Sequence, residues 1–194
     1  MAKKGIRYAV FGLYHETTVG TTTTITYTDG KRLSPVAAFN GSPNVANAKD
    51  YGDDGTVESV NEALGATLSV ELTNDDMEIF TMLLGHHIVN NVLTYTNSDE
   101  PPYVGCGAIG VSGSKWRAKI YTKVRFAEPS DDNTTKQESI SFSHITLEGD
   151  AVMDANGVWK KEREFDTEAA AKAWLNDELG VGASGATGAT GATT

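Results

Sequence analysis

Alternation of apolar and polar residues dominates this chain and predicts a mainly β protein. The longest such run lies between residues 116 and 126 and predicts a half-buried strand. One face of this strand is predicted to carry Trp116, Ala118, Ile120, Thr122, Val124 and Phe126. Because side chains of a strand alternate between its two faces, the other face would carry four cations: Arg117, Lys119, Lys123 and Arg125.

Shorter runs of the same kind predict further strands near residues 25–27, 68–72 and 93–95. Residues 6–13 form a more continuously apolar strand and residues 158–165 a charged one. Between residues 138 and 148 the alternation changes phase near Ser143 and His144, which predicts a strand with a bulge. We expect roughly seven to nine strands, folded as a β-sandwich or barrel-like domain with one packed helix and a C-terminal helix.

The first helix is predicted over residues 76–84, where Met77, Phe80 and Leu84 recur at helical spacing. Asp75 would cap its N-terminus. Gly85 follows the last apolar residue, as is typical of a helix end.

The second helix is predicted over residues 167–179, a segment rich in alanine. Asp166 would be its N-terminal cap, and Gly180 would end it. Trp174, the largest apolar side chain of this segment, would anchor the helix to the rest of the protein.

Residues 41–57 read GSPNVANAKDYGDDGTV and predict a long loop, because glycine, asparagine and aspartate dominate them. A loop of this length is uncommon unless it is mobile or rests on a partner. Residues 181–194 end in repeats of glycine, alanine and threonine and predict a flexible tail. Residues 1–180 would then form a single domain.

Charge is distributed unevenly along the chain, whose net charge is −10. Residues 41–100 contain eleven acidic residues and one basic residue, so this segment should form a negative surface. Such a charge argues against general affinity for nucleic acid. No apolar run approaches the roughly 18 residues of a membrane span. The N-terminus resembles no secretory signal, so we expect synthesis in a cytoplasm and no membrane partner.

Motifs that would indicate catalysis or a cofactor are weak. Gly105, Gly107 and Gly110 spell G-x-G-x-x-G, but they precede a strand rather than a helix that could bind a dinucleotide. His86 and His87 lack the helical spacing of a metal pair, and residues 50–55 do not fit the ligand register of a calcium loop. The single cysteine, Cys106, would be a small apolar residue of the core. We therefore expect no enzyme, no metal and no cofactor.

Several segments in a particular order resemble one protein family. They include GIRYAVFGL at the start, LLGH followed by PPYVG, the strand KWRAKIYTKVRF, the block KQESISFSHITLEGDAV and the ending WKKEREFDTEAAAKAW. In order and spacing, these segments resemble the major tail proteins, or tail tube subunits, of bacteriophages with long non-contractile tails.

This resemblance implies a structural virion protein that assembles into hexameric rings, stacked as a hollow tube through which DNA is ejected. It implies contacts with a tape measure protein, a tail terminator and tail-tip proteins, and localisation in the virion tail. DNA would pass without specific binding, because six subunits would place about −60 charges in each ring. The expected contacts between rings are Asp50, Tyr51, Asp53 and Asp54, and those between subunits are Arg117, Lys119, Lys123 and Arg125.

A β-sandwich module that binds carbohydrate or a cell-surface ligand is the alternative. Trp116, Trp159 and Trp174, together with the seven tyrosines, would supply the aromatic surfaces on which sugars stack. The same side chains could equally serve core packing, so the sequence leaves both interpretations open.

Overall fold

A computed structural model describes residues 3–33, 35–52, 55–74, 76–130 and 144–182 of the 194-residue chain. The prediction of a mainly β protein with two helices is confirmed, and the described residues contain ten strands rather than seven to nine. The strands are β1 (Lys3–Val19), β2 (Thr22–Arg32), β3 (Val36–Gly52), β4 (Gly55–Leu72), β5 (His87–Val89), β6 (Val92–Thr94), β7 (Val104–Ser112), β8 (Lys115–Phe126), β9 (Ile145–Val152) and β10 (Lys160–Phe165). The helices are α1 (Met77–Leu84) and α2 (Glu168–Glu178).

Eight of the strands form one antiparallel sheet in the order β2-β1-β7-β8-β9-β4-β3, with β10 also paired to β8. One edge of β8 pairs with β7 along most of its length. Its other edge pairs first with β10, up to Tyr121, and then with β9, from Lys123 onward. On this edge, β8 therefore changes its pairing partner from β10 to β9 near its middle.

The sheet curls until β3 lies over β8, although β9 and β4 separate these strands in the sheet order. The rings of Phe39 in β3 and Tyr121 in β8 are 6.0 Å apart between centroids. Gly41 lies against the hydroxyl end of the Tyr121 side chain, where any Cβ atom would collide with the phenol. The curled sheet and α1 enclose the larger of two cores, which includes Phe11, Leu68, Leu83, Val124 and Leu147.

A bulge in β8 overturns the prediction that one apolar face runs from Trp116 to Phe126. Val104 pairs with Val124 but Cys106 pairs with Tyr121, so β8 contains one more residue here than β7. An extra residue moves every later side chain to the opposite face. Ala118 and Ile120 consequently belong to a second, smaller core beneath α2, whereas Tyr121, Val124 and Phe126 belong to the larger core.

Helix α2 packs on the outer face of the sheet against this second core. Its buried side chains are Ala171 and Leu175, and Leu179 follows them at the same spacing. Trp174 was predicted as the anchor, but it is only half buried and packs against Phe165 with 5.8 Å between ring centroids. Trp174 also packs against this core from the margin of the helix's contact face, whereas Ala171, Leu175 and Leu179 are the fully buried contacts.

The G-x-G-x-x-G segment lies inside β7, and its first two glycines form the platform for α2. A Cβ atom on Gly105 would lie 2.7 Å from Leu179 Cδ2, and one on Gly107 would lie 2.7 Å from Leu175 Cδ1. Both distances are shorter than carbon atoms tolerate. The motif therefore serves close packing of a helix on a strand, as glycine in a strand often does.

Both predicted helices exist, but each N-cap lies one residue later than expected. Asp76 caps α1 by accepting a hydrogen bond from the backbone N–H of Glu78, and Asp75 lies outside the described residues. Thr167, not Asp166, caps α2 by accepting from the backbone N–H of Ala170. Gly85 ends α1 in the left-handed conformation with φ 78°, as predicted.

The predicted loop over residues 41–57 is wrong, because its described residues continue β3 and begin β4. These strands pair from Val36 with Leu72 out to Gly52 with Gly55. The prediction failed because glycine, asparagine and aspartate favour loops by intrinsic preference. Strand formation depends more on pairing with a neighbouring strand. Residues 131–143, which include most of the predicted bulged strand, and residues 183–194 of the predicted tail lie outside the described residues.

Candidate assembly surfaces

The β3–β4 hairpin extends well beyond the sheet from which it starts. Strand β4 pairs with β9 only between Ala66 and Leu72, whereas its pairing with β3 continues to Gly55. We call the outer part, residues 44–52 and 55–65, the arm. At about 3.3 Å per residue the arm is roughly 30 Å long. Neither strand of the arm pairs with a third strand within the described part of the chain.

Long strands with unsatisfied outer edges readily pair with another chain. In addition to the arm, β2 and β3 form the two ends of the sheet order, and β10 pairs on one side only with β8. The outer edge of β2 meets a single bridge, between Gly30 and Val181, among the residues that the structure describes. The fold thus offers several backbone edges to a neighbouring molecule.

Two of the four residues predicted to contact a neighbouring ring, Asp50 and Tyr51, belong to the arm. The backbones of Asp50 and Tyr51 lie in β3, paired with Glu58 and Thr56, while their side chains fall outside the described part. Asp53 and Asp54 lie outside the described residues. Asp50 and Tyr51 thus lie in a long hairpin rather than in the predicted loop, and the contacts of all four residues stay a prediction.

The four cations of β8 do not share one face, contrary to the prediction. The bulge places two of them on each side of the strand, in different surroundings. Arg117 and Lys119 alternate with residues that face α2, so they point away from α2. The Arg117 Nε–H donates to Glu164 at 3.1 Å, and this bond raises the pKa of Arg117 above its usual value. Lys119 Nζ donates to the carbonyl of Phe39 at 3.4 Å.

Lys123 and Arg125 lie on the opposite side of β8, because they alternate with residues of the larger core. Lys123 Nζ is 3.6 Å from a Glu16 carboxylate oxygen and 4.8 Å from the ring centroid of Tyr103. The guanidinium of Arg125 lies 4.3 Å from the same centroid. All four cations therefore have partners inside the chain, and their predicted contacts between subunits stay untested.

A buried histidine, which the sequence did not single out as a site, joins three distant segments. His86 follows α1 and is 5% exposed. Its Nδ1 lies 2.8 Å from an oxygen of Asp99, and its Nε2 lies 3.0 Å from an oxygen of Glu128. Ionised carboxylates only accept hydrogen bonds, so both bonds form together only when both ring nitrogens carry a proton.

Asp99 receives additional donors, which explain its acidity. The hydroxyl and the backbone N–H of Thr96 both donate to its carboxylate, the latter at 3.0 Å. These bonds and the bond to His86 lower the pKa of Asp99 to about 2. We call His86, Asp99 and Glu128 the histidine cluster. Sequence spacing gave no signal for it, because the partners of His86 are 13 and 42 residues away.

The histidine cluster lies at the base of the β5–β6 hairpin. Asn90 and Asn91 connect the two strands with φ values of 52° and 62°, as in the hairpin turns that match strand twist. Leu93 packs on the larger core and pairs with Ile88. Val89 and Val92 pair on the opposite face and are 59% and 60% exposed. This hairpin thus presents apolar side chains to solvent.

Two clefts among the described residues have room for a small ligand. One of about 500 Å³ is lined by threonines of β2 together with three acidic residues, Asp154, Asp177 and Glu178. The other, of about 580 Å³, lies between β3 and β8 and includes Arg117, Lys119 and Lys160. In the first cleft, Asp154 already accepts hydrogen bonds from two backbone N–H groups of its own turn.

The tryptophans that suggested a carbohydrate site pack against other side chains. Trp116, Trp159 and Trp174 are each half buried. The ring of Trp159 lies 6.2 Å from that of Tyr121 between centroids, and Trp174 contacts Phe165. These contacts are those of core packing rather than of an open aromatic platform.

Cys106 is fully buried in the larger core, as predicted, and burial raises the pKa of its thiol to about 12. The described residues contain no group of three histidine, cysteine, aspartate or glutamate side chains that could hold a metal ion. Neither described helix is long and apolar enough to cross a membrane. No protein-family model and no curated protein matches this chain.

Proposed function

We propose that this chain is a structural protein that assembles with copies of itself into hexameric rings, stacked as the hollow tail tube of a bacteriophage. The observation that carries the proposal is the arm, a ribbon roughly 30 Å long whose outer edges have no strand partner among the described residues. A ribbon of two strands costs conformational entropy to order and is marginally stable by itself in water, because two strands alone bury little surface. Contact with a neighbouring copy supplies the missing burial.

Charge supports the same function. The arm sequence contains one lysine and several acidic residues, in a molecule of net charge −10. A tube with acidic walls would let DNA pass without retaining it, because phosphate groups are repelled. In this proposal the tube itself performs no catalysis. The resemblance to tail tube subunits adds the tape measure, terminator and tail-tip proteins as partners, and the virion tail as location after synthesis in the host cytoplasm.

The alternative, a carbohydrate-binding β-sandwich, has less support. It needs exposed aromatic surfaces, and the three tryptophans pack against protein side chains instead. A glycan array on the monomer tests it directly, since micromolar binding would favour the module.

Removal of the arm tests the proposed function. Pro43 pairs with Ala66, so residues 44–65 can be replaced by an Asn-Gly turn without disturbing the pairs between β4 and β9. We expect the shortened protein to fold and remain monomeric, while the full chain forms tubes at high concentration. Light scattering and negative-stain electron microscopy measure assembly, and circular dichroism measures folding.

A matched control shortens the β1–β2 hairpin in the same way. Residues 17–24 are replaced by Asn-Gly, because Glu16 pairs with Ile25. Strand β2 lies at the opposite end of the sheet from β3, so this variant separates loss of the arm from a general effect of shortening. We expect it to assemble. A full chain that stays monomeric under all conditions and is absent from purified tails would overturn the proposed function.

A further inference from the structure

The curled sheet is an incomplete barrel, because two strand edges border one cleft without pairing. Strand β2 accompanies β1 only as far as the bond from the Leu33 N–H to the Ala9 carbonyl, at 3.0 Å. Beyond this bond, residues 3–8 of β1 have no partner on that side within the described part of the chain. Strand β3 likewise pairs only with β4 there. The cleft of about 580 Å³ is lined by residues 5–6 of β1 and 37–42 of β3, together with residues of β7, β8 and β10.

The edge of β3 is the better template for an added strand. Its pairing with β4 is regular from Ala38 to Asn44, whereas β1 shifts register on both sides of Ile6. The Phe39 carbonyl accepts the bond from Lys119 Nζ, and both residues line the cleft. In an antiparallel ladder the N–H and C=O of one residue point to the same side. Phe39 therefore offers both backbone groups to a strand that lies in the cleft.

The same space concentrates positive charge in an acidic molecule, and we call it the basic cleft. Three of the four charged residues that line it are basic, namely Arg117, Lys119 and Lys160. The fourth, Glu162, has a carboxylate oxygen 2.6 Å from Lys160 Nζ. Burial opposes ionisation of Glu162, but this bond and the charges of all three cations lower its pKa below the usual value. The basic cleft thus favours a carboxylate, although the chain carries a net charge of −10.

The geometry of the cations matches an extended ligand. Lys119 Nζ lies 5.0 Å from the ring centroid of Phe39, and two residues further along both strands Gly41 lies against Tyr121. Strands β3 and β8 therefore run side by side here, and a strand added to β3 would follow β8 as well. Arg117 and Lys119 are two residues apart on β8, a separation of about 7 Å that alternate side chains of an extended peptide share. Acidic residues at alternate positions would therefore meet both cations.

We propose that the basic cleft binds an extended acidic segment of another protein, which adds a strand to β3 and places carboxylates beside Arg117 and Lys119. Backbone pairing supplies affinity and the cations supply selectivity, as when peptides join other sheet edges. Among the described strands, acidic residues at alternate positions occur in β9 and β10, and both already belong to the sheet. The described part of a second copy therefore offers no free segment of this pattern. The site lies outside the arm and does not depend on the proposed tube.

Synthetic peptides test the proposal. The probe is a fluorescently labelled peptide of alternating threonine and glutamate, seven residues long, and fluorescence anisotropy measures its binding to the dilute full chain at fixed ionic strength. One matched peptide has lysine in place of glutamate. A second retains the glutamates but is methylated at every backbone nitrogen, so it cannot donate hydrogen bonds to β3. We expect each matched peptide to bind at least about tenfold more weakly than the probe.

Each result has a distinct meaning. Absence of binding by the glutamate peptide would overturn the inference. Equal binding of the methylated peptide would overturn strand addition, since charge alone would then suffice, and equal binding of the lysine peptide would overturn selection for acidic segments. If sedimentation velocity shows dimers that the glutamate peptide dissociates, a second copy is the occupant and the assignment to another protein is wrong.

Two substitutions that remove the same charge locate the binding site. Lys119→Met changes the basic cleft, whereas Lys161→Met is the control, because Lys161 lines the other cleft. We expect K119M to weaken binding of the glutamate peptide at least about fivefold and K161M less than about twofold. Equal effects of the two would place the peptide elsewhere and overturn the inference. Circular dichroism checks folding.

Hydrogen exchange of the unmodified chain gives a test that needs no variant. The glutamate peptide should slow exchange over residues 36–42, because their outward N–H groups gain acceptors. Residues 22–28 of β2, which also form an outer edge of the sheet, are the matched control and should exchange as before. Unchanged exchange over residues 36–42 at saturating peptide would overturn strand addition.

Discussion

The face of the sheet beneath α2 and the outer face of the β5–β6 hairpin are both apolar, but only the first is covered within the chain. Gly105 and Gly107 leave room for Leu175 and Leu179, and these leucines are fully buried. Val89 and Val92 of the hairpin, in contrast, remain exposed although polar bonds of the histidine cluster hold their strands in place. The difference separates surfaces that stabilise the monomer from surfaces available to other molecules.

The largest expected effect is at the centre of the covered face. Leu175→Ala removes a fully buried side chain from the contact between α2 and the sheet. We expect a loss of about 2–5 kcal/mol in the free energy of unfolding, because a cavity remains where the leucine was. Chemical denaturation measures it. Ala173→Ser on the exposed side of α2 is the control, expected within about 0.5 kcal/mol of wild type.

A smaller effect is expected from the glycines below α2. Gly105→Ala places a methyl group 2.4 Å from Tyr27 Cε1 and 2.7 Å from Leu179 Cδ2, so the side chains packed beneath α2 must shift, at a cost of roughly 1–3 kcal/mol in unfolding free energy. Gly110→Ala is the matched control from the same motif, since its nearest atom is 4.0 Å away. Equal stability of the two variants would contradict the role of Gly105 in helix packing.

The smallest of these effects is expected at the hairpin, where acid should weaken the histidine cluster. The pKa of Asp99 is about 2 in the folded protein against a usual 3.8, so the charged carboxylate favours folding above pH 4. This contribution should decrease as the pH falls from about 4 to about 2. Denaturation curves of wild type and Asp99→Asn should accordingly differ at pH 6 and converge near pH 2. A constant difference across this range would show that the charge of Asp99 does not stabilise the hairpin.

Local sequence patterns predicted the helices and strands better than they predicted what those elements pack against. Both helices were predicted within about two residues, because amphipathic spacing and a terminal glycine are properties of a short segment. Their caps were misplaced by one residue, since adjacent polar residues, such as Asp166 and Thr167, compete for the same position. Strand β8 was also predicted, with bounds close to those observed.

The candidate contact surfaces were predicted poorly, and each error has a structural cause. The bulge that divides the cations of β8 depends on how Val104 and Cys106 of β7 pair with it, which alternation within β8 cannot reveal. The arm was predicted as a loop because its strand character comes from pairing between β3 and β4. The histidine cluster needs three segments brought together by the fold.

The sequence by itself determined the mainly β class, the two helices, the concentration of acidic residues in one segment and the presence of a single cysteine. Each of these follows from composition or from the period of neighbouring residues, which the chain carries before it folds. Only the tertiary structure decided which cations share a face, why two glycines lie beneath a helix and how His86 meets two carboxylates. Those properties depend on distances between residues far apart in sequence, and such distances exist only once the sheet has paired and curled.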